Sequence, residues 1–335
     1  MQLQELYKKR QTDFSDKAAE FKQKYIYFSI VRLVIFFIGA GVFTFLWSYG
    51  WIATFFLIVF LVVFARFVYW HQTIQQNQIH HENLSNVNQN EIDYLNFKFN
   101  QFDSGEQFMD TQHPNSVDMD LFGAYSFFQY CNRSNTSIGR KCLANWLSYP
   151  ASIEEISIRQ ESIKELQNQL DWRQNFQAIG MSTEDSESHL EALKKWLHMS
   201  PYVNNSFWLK IALYVAPFFG IAGVMLWLFY IPWQLAILLY IPAALILKAT
   251  LEKVNATHLQ TDKAEKILAH YARLIQHIEE EKFSSKKLYE LRSVFFVGKE
   301  NAFIKSHSIT SSSLFAVGKD KPYDYWMALI RQCII

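Results

Sequence analysis

The sequence predicts an all-α membrane protein with two transmembrane helical hairpins and a helical, water-facing domain split by the second hairpin. Three observations carry this. Half of the 335 residues are apolar and 17% are aromatic, with 29 Phe, yet the mean hydropathy is only −0.04, so very apolar blocks alternate with polar ones. Residues 33–65 and 211–247 contain no Asp, Glu, Lys or Arg. The polar segments around them place apolar residues at helical spacing.

A single membrane crossing takes about 20 apolar residues. Each uncharged stretch is too long for one crossing and fits two joined by a tight turn. The first hairpin is expected over 27–70, with arms 27–47 and 51–70 turning at Ser48-Tyr49-Gly50. The second is expected over 206–251, with arms 208–228 and 233–251 turning near Tyr230-Ile231-Pro232. Trp47, Tyr49 and Trp51 cluster at one tip, and Trp227, Tyr230 and Trp233 at the other, as rings with an apolar body and a polar end do at a lipid–water interface. Burying two such pairs as core helices would need far more chain than is present. No arm carries a charge at its centre, where transporters place ionisable groups, so the arms are expected to be anchors.

Lys8, Lys9, Arg10, Lys17, Lys22 and Lys24 precede the first arm, and Arg66, Lys210, Lys248 and Lys253 flank the ends opposite the tips. The positive-inside rule then puts both termini and the middle segment in the cytoplasm of a multi-pass protein of the inner or plasma membrane. The 26 residues before the first arm are too polar and too many for a cleaved leader. A net charge of +1 gives no bulk field toward nucleic acid. Cys131, Cys142 and Cys333 are odd in number and scattered, with no disulfide or metal pattern.

In the water-facing parts, residues 1–26 form an amphipathic lead-in. Residues 71–117 form a polar connector with packing around Phe97, Phe99, Phe102 and Phe108. Leu121, Phe122, Tyr125 and Phe128 recur at helical spacing. Thr136 is placed to cap a helix with Ile138, Cys142, Leu143, Trp146 and Leu147 on its apolar face, ended by Pro150. Ser152 and Glu155 form a capping box, after which Ile156, Ile163, Leu166 and Leu170 line one face. Another helix is expected after Asp185. A single long helix is expected from Lys253 to about Leu291 as part of a lever segment over 252–304, with an unassigned tail at 305–335. His80, His81, His270 and His277 are expected to be solvated, since none has metal-ligand spacing with a carboxylate.

Asp118-Met-Asp-Leu-Phe-Gly123, Ser126-Phe-Phe-Gln129, Asn132-Arg-Ser-Asn-Thr136, Gly139, Leu143, Trp146-Leu147 and Pro150 resemble the core, or lever, domain of the MutS mismatch-repair family. Arg159-Gln160, Ile163 and Glu165-Leu166 are similar to the helix that follows in that family. The resemblance covers residues 118–180 and assigns structural roles to Asp120, Phe122, Gly123, Phe128, Asn132, Arg133, Thr136, Gly139, Trp146, Pro150, Arg159 and Gln160. It makes 118–205 the first part of a MutS-core-like domain, resumed after the second hairpin, which stands where classical relatives carry a DNA clamp. Complete relatives bind mismatched DNA and carry a dimeric ATPase domain that uses ATP and Mg. In this chain Gly298-Lys299-Glu300 and Gly318-Lys319-Asp320 lack the Ser or Thr and the earlier Gly of a phosphate loop. No Gly-x-Ser-x-Gly elbow occurs either. The expectation is a non-enzymatic chain with no catalytic, cofactor or metal residues, a truncated or frame-shifted product without its ATPase domain. Its expected partners are the lipid bilayer, a second copy of the chain and, by resemblance alone, DNA. The alternative is a membrane scaffold with no nucleic-acid role.

Overall fold

The computed structural model describes residues 2–182 except 100, 111, 114 and 115, residues 267–297, and residues 218, 240, 300 and 301. Apart from residues 218 and 240, the expected second hairpin lies outside them, as do the helix expected after Asp185, the first part of the helix expected from Lys253 and the tail beyond residue 301. The chain divides into two compact units, one of residues 1–184 with 277–293 and one of residues 185–276 with 294–335.

The first unit is built on one long hairpin. Helix α1 (Gln2–Leu46) and helix α2 (Trp51–Leu95) are each 45 residues long, roughly 67 Å at 1.5 Å per residue. They are joined by a 3-10 turn at Trp47–Tyr49 and by Gly50, where the sequence places the tip. Gly50 holds φ +56°, a backbone region that glycine enters without the Cβ penalty. Both helices are long and apolar enough to cross a membrane, and only 6% of the most apolar window of each is buried. Phe45, Trp51 and Phe55 are among the side chains facing outward. Gly39 is buried because Phe60 of the opposite arm lies over it; a Cβ there would sit 2.2 Å from the ring.

Neither helix stops at the end of its apolar part. The lead-in 2–26 continues α1, and residues 71–95, expected as a connector, are the second half of α2. No Gly or Pro interrupts residues 51–95, so nothing breaks the backbone ladder. The pairing register also carries through. Tyr25 stacks on His71 at 4.4 Å, the Ser85 hydroxyl donates to the Gln11 carbonyl at 3.2 Å, and the Gln4 amide reaches Asn96 at 3.4 Å. Among the described residues of the expected connector, only those after Leu95 are irregular, apart from a 3-10 turn at Glu106–Phe108.

One face of this polar half is interior because α6 (Leu170–Gly180) packs along it. Asn88, fully buried, and Gln174 exchange amide hydrogen bonds at 2.8 and 3.2 Å. The Asn83 amide donates to the Ala178 carbonyl at 3.0 Å. His80 bonds Asn175 at 2.9 Å, and His81 is stacked by Phe14 and Phe21. The expectation of solvated histidines fails here because one face of this segment, with His71 and the hydrogen-bonded Asn83, Ser85 and Asn88, is buried, while Gln72, Gln75, Gln76 and Asn77 stay exposed.

Helices α3 (Phe127–Cys131), α4 (Ser137–Ser148) and α5 (Ile153–Gln167) complete the water-facing layer. Leu121, Phe122, Phe128 and Ala144 form its core, with Phe108, Leu143 and Leu147 packed against them. The helical spacing of 121–128 does not produce a helix. Asp120 and Tyr125 hold φ +46° and +61°, and the chain turns so that the Phe127 and Phe128 amides donate to the Asp120 and Leu121 carbonyls. Thr136 caps α4 and Ser152 caps α5. The box at Ser152 is half made, because the Glu155 carboxylate turns to Arg159 and Lys287. Ile156 and Ile163 are exposed, correcting the inward stripe expected on α5; Ser162 is buried there instead.

The chain re-enters this unit at His277, in helical residues 267–280. The single helix expected to run to Leu291 breaks at 281–285 and restarts as α7 (Lys286–Ser293). The break lets Phe283 pack edge-on against Trp172 at 5.3 Å. His277 stacks on the same indole at 5.2 Å and bonds the Trp172 carbonyl at 3.1 Å; His270 is buried as well. In the second unit, β1 (Phe296–Val297) and β2 (Glu300–Asn301) pair antiparallel with Phe296 opposite Asn301.

Gly105 holds φ +67°, and a Cβ on it would lie 2.5 Å from the Phe128 ring. Gly105→Ala is expected to lower stability by about 1–3 kcal/mol. Gly41→Ala, a helical site with nothing within 4 Å, is expected to be neutral or slightly stabilising. Thermal unfolding of the detergent-solubilised chain compares the two, and equal midpoints would contradict the packing at Gly105.

Candidate functional site

The residues singled out by the resemblance fall into three groups. The first is the turn before α3. Phe122 and Phe128 are buried in the core, and Asp120 contributes its carbonyl while its side chain is exposed. Gly123, at φ +105°, donates its amide to the Ser104 carbonyl at 2.9 Å.

The second group is the turn 132–139 between α3 and α4. Asn132 is buried, and its Oδ1 accepts the Ser134 amide at 2.9 Å. The Thr136 hydroxyl accepts the Gly139 amide at 3.1 Å, and a Cβ on Gly139 would meet that hydroxyl at 3.0 Å. Asn135 donates to the Gln177 carbonyl of α6 at 3.0 Å. Arg133 reaches α2. Its Nε and Nη2 grip the two Glu91 oxygens at 2.7 and 3.2 Å, and Nη1 donates to the Tyr130 carbonyl at 2.6 Å. The guanidinium lies 3.3 Å over the Tyr94 ring. The Tyr94 hydroxyl donates to the Asn132 carbonyl at 2.9 Å. Burial pushes that phenol up to about 12, against the opposing pull of Arg133. It therefore stays a donor at any ordinary pH.

The third group lies apart. Arg159 covers the half-exposed Trp146 ring at 4.2 Å and pairs with Glu155 at 3.0 Å. Pro150 and Gln160 are exposed, with Pro150 following the end of α4. The motif is thus a set of turn-forming and joining residues. Burial raises the Cys131 and Cys142 thiols above their usual value, with Arg133 and Arg159 respectively opposing it. Neither thiol is primed as a nucleophile.

Two clefts flank the Arg133 clasp. One, of about 190 Å³, includes Asp103, Asn135 and Arg140; Arg140 pairs with Asp103 at 3.4 Å. The other, of about 300 Å³, includes Tyr7, Tyr130, Arg173 and Gln177. Among the described residues no group of three His, Cys, Asp or Glu is placed to hold a metal ion.

Sequence patterning singles out none of Glu91, Tyr94 and Gln174, whose partners lie far along the chain, nor Arg173. In the sequence, Glu165 stands out only as part of the motif. Its two oxygens accept the Ser284 and Ser285 amides at 2.6 and 2.7 Å, capping α7 from another helix. Burial raises its carboxyl, but the hydrogen bonds from Ser284 and Ser285 outweigh this and bring it down to about 2 from an ordinary 4.5. No protein-family model, curated protein or solved structure matches the chain.

Two outcomes follow. Arg133→Lys keeps the charge but loses the two-pronged grip and the flat ring contact. It is expected to cost about 1–3 kcal/mol, measured by thermal or denaturant unfolding; wild-type stability would show the clasp to be idle. Glu165 has a depressed pKa, so its contribution is complete above about 4.5 and is lost as pH falls toward 2. The difference in unfolding midpoint between wild type and Glu165→Gln is expected to be large at pH 7 and to shrink through this window. A difference independent of pH would refute the cap.

Proposed function

We propose that this chain is a non-enzymatic membrane anchor and lever. In this reading the apolar parts of α1 and α2 cross the inner or plasma membrane within a multi-pass arrangement. Both termini and the middle segment are cytoplasmic. The observation that carries it is continuity: both helices run unbroken from outward-facing apolar surface into a polar half that α6 and the 132–139 turn hold fast. A movement at the water-facing domain would then be transmitted to the hairpin with little bending, because every turn is hydrogen-bonded and the arms share one register.

The domain takes its model from the MutS core, which in complete relatives links an ATPase dimer to DNA. The site itself favours the scaffold side of that model. Arg133, the motif's most central cation, is satisfied by Glu91, Tyr94 and the Tyr130 carbonyl and is not presented to a phosphate backbone. The role assigned to the motif is mechanical: it joins α3 and α4 to the hairpin. No phosphate loop occurs in the sequence, so ATP binding is not part of the proposal.

Topology is tested with single cysteines in a chain whose three natural cysteines are changed to Ser. Tyr49→Cys is expected to react with an impermeant maleimide in intact cells, and Asn96→Cys only after permeabilisation. The reverse pattern would overturn the orientation. Matched and mismatched duplexes, titrated at low and high salt, test the nucleic-acid link. No salt-dependent binding is expected, whereas affinity falling steeply with salt would restore the DNA-binding role that the resemblance implies.

A further inference from the structure

The larger cleft beside the clasp is lined by Glu91, whose two oxygens are held by Arg133, and by donors that have no partner of their own among the described residues. Arg173, in the first turn of α6, lines it. Its Nε is buried with no hydrogen-bond partner among the described residues, and no carboxylate there pairs with it. Neighbouring charges are already committed: Asp171 to Arg10, and Glu91 to Arg133 through both oxygens. The Gln174 amide is consumed by Asn88 and Arg10. Tyr7 and Gln177 also line the cleft, and the Tyr7 hydroxyl and the Gln177 side-chain amide make no hydrogen bond among the described residues. Burial raises Tyr7 first of all, with Glu91 adding to this and Arg173 opposing it, so its hydroxyl keeps its proton.

An unpaired arginine with a buried nitrogen is costly, and an oxyanion is the ligand that relieves it. We infer that this cleft binds a small phosphomonoester, its phosphate held by Arg173, Tyr7 and Gln177. Donors on α1 and at two positions of α6 suit a tetrahedral group with several acceptor oxygens better than a flat carboxylate. At about 300 Å³ the cleft exceeds the phosphate itself, leaving room for an organic body against Leu170 and Tyr130. With the membrane boundary at residue 27 of the proposed anchor, about 30 Å of helix at 1.5 Å per residue separates Tyr7 from a lipid headgroup. The argument against a lipid source rests on that reading, whereas phosphate binding itself needs only the polar half of the unit.

The test is thermal unfolding of the full chain in detergent, with inorganic phosphate or glycerol phosphate added at constant ionic strength against chloride and acetate. Both phosphates are expected to raise the midpoint saturably, by about 2–4 °C near saturation, with acetate and chloride inert. Arg173→Gln is expected to abolish the response, Tyr7→Phe to weaken half-saturation about tenfold, and Lys22→Gln to leave it intact. If Arg173→Gln does not fold, Tyr7→Phe and Arg173→Lys carry the test through their half-saturation. No saturable rise, an equal rise with acetate, or a response untouched by every one of the cleft substitutions overturns the proposal. So does a rise produced by phosphatidic acid in the micelles but not by free phosphate.

Discussion

A guanidinium held partly out of water organises the polar half of the first unit. Arg133 must be paired wherever it is shielded, since an unpaired charge there costs several kcal/mol. Its partners come from two helices at once. Glu91 supplies two oxygens and Tyr94 a ring face from α2, and Tyr130 a carbonyl from α3. Satisfying one side chain therefore fixes α3 and the following turn against the hairpin. The Tyr94 hydroxyl closes the circuit on the Asn132 carbonyl, so the residue beside the arginine is held by the residue beneath it. Removing any member leaves the others with donors or charges facing a half-dry site.

The same logic runs down the stalk. An apolar seam would let two long helices slide or rotate at small cost. The Asn88–Gln174 exchange tolerates no slip, because a shifted register would strand two buried amides. Asn83 to the Ala178 carbonyl and His80 to Asn175 repeat the constraint at other heights. Polar packing of this kind adds less to stability than leucines would, but it specifies a single alignment of α1, α2 and α6. For a strut that transmits position, alignment matters more than depth of the energy well.

What was legible in the sequence follows from how local each signal is. The first hairpin and its tip at Ser48-Tyr49-Gly50 depend on a long uncharged run and a nearby turn, and both are found. So are the Thr136 cap and the stop at Pro150, which are decided within four residues. Residues 71–95 look like a connector because Gln and Asn look solvated; their partners, Gln11, Gln174, Asn175 and Ala178 among them, lie 74 to 95 positions away. The break at 281–285 was hidden for the same reason. A run with helical spacing is interrupted because Glu165, more than a hundred positions earlier, offers a better acceptor to the Ser284 and Ser285 amides than another turn of helix would. Phe283 gains a buried place against Trp172 as well. Within the motif, residue identity was readable but role was not: Arg133 and Arg159 share a residue type, yet one is a joint and the other covers an exposed indole.

The two halves of the hairpin also divide the physical problem between them. In the outward-facing apolar part the arms touch through rings and a glycine, as where Phe60 lies over Gly39, contacts that lipid tails can replace with little change in energy. In the polar half they touch through hydrogen bonds that nothing in water replaces with the same geometry. Specificity is thus concentrated at the water-facing end, and the apolar arms inherit their alignment from it through continuous helix. That ordering accounts for the length of the stalk. A hairpin that ended at residues 27 and 70 would have to find its register from apolar contacts alone, whereas this one receives it from Gln11, Ser85, Asn88 and Gln174.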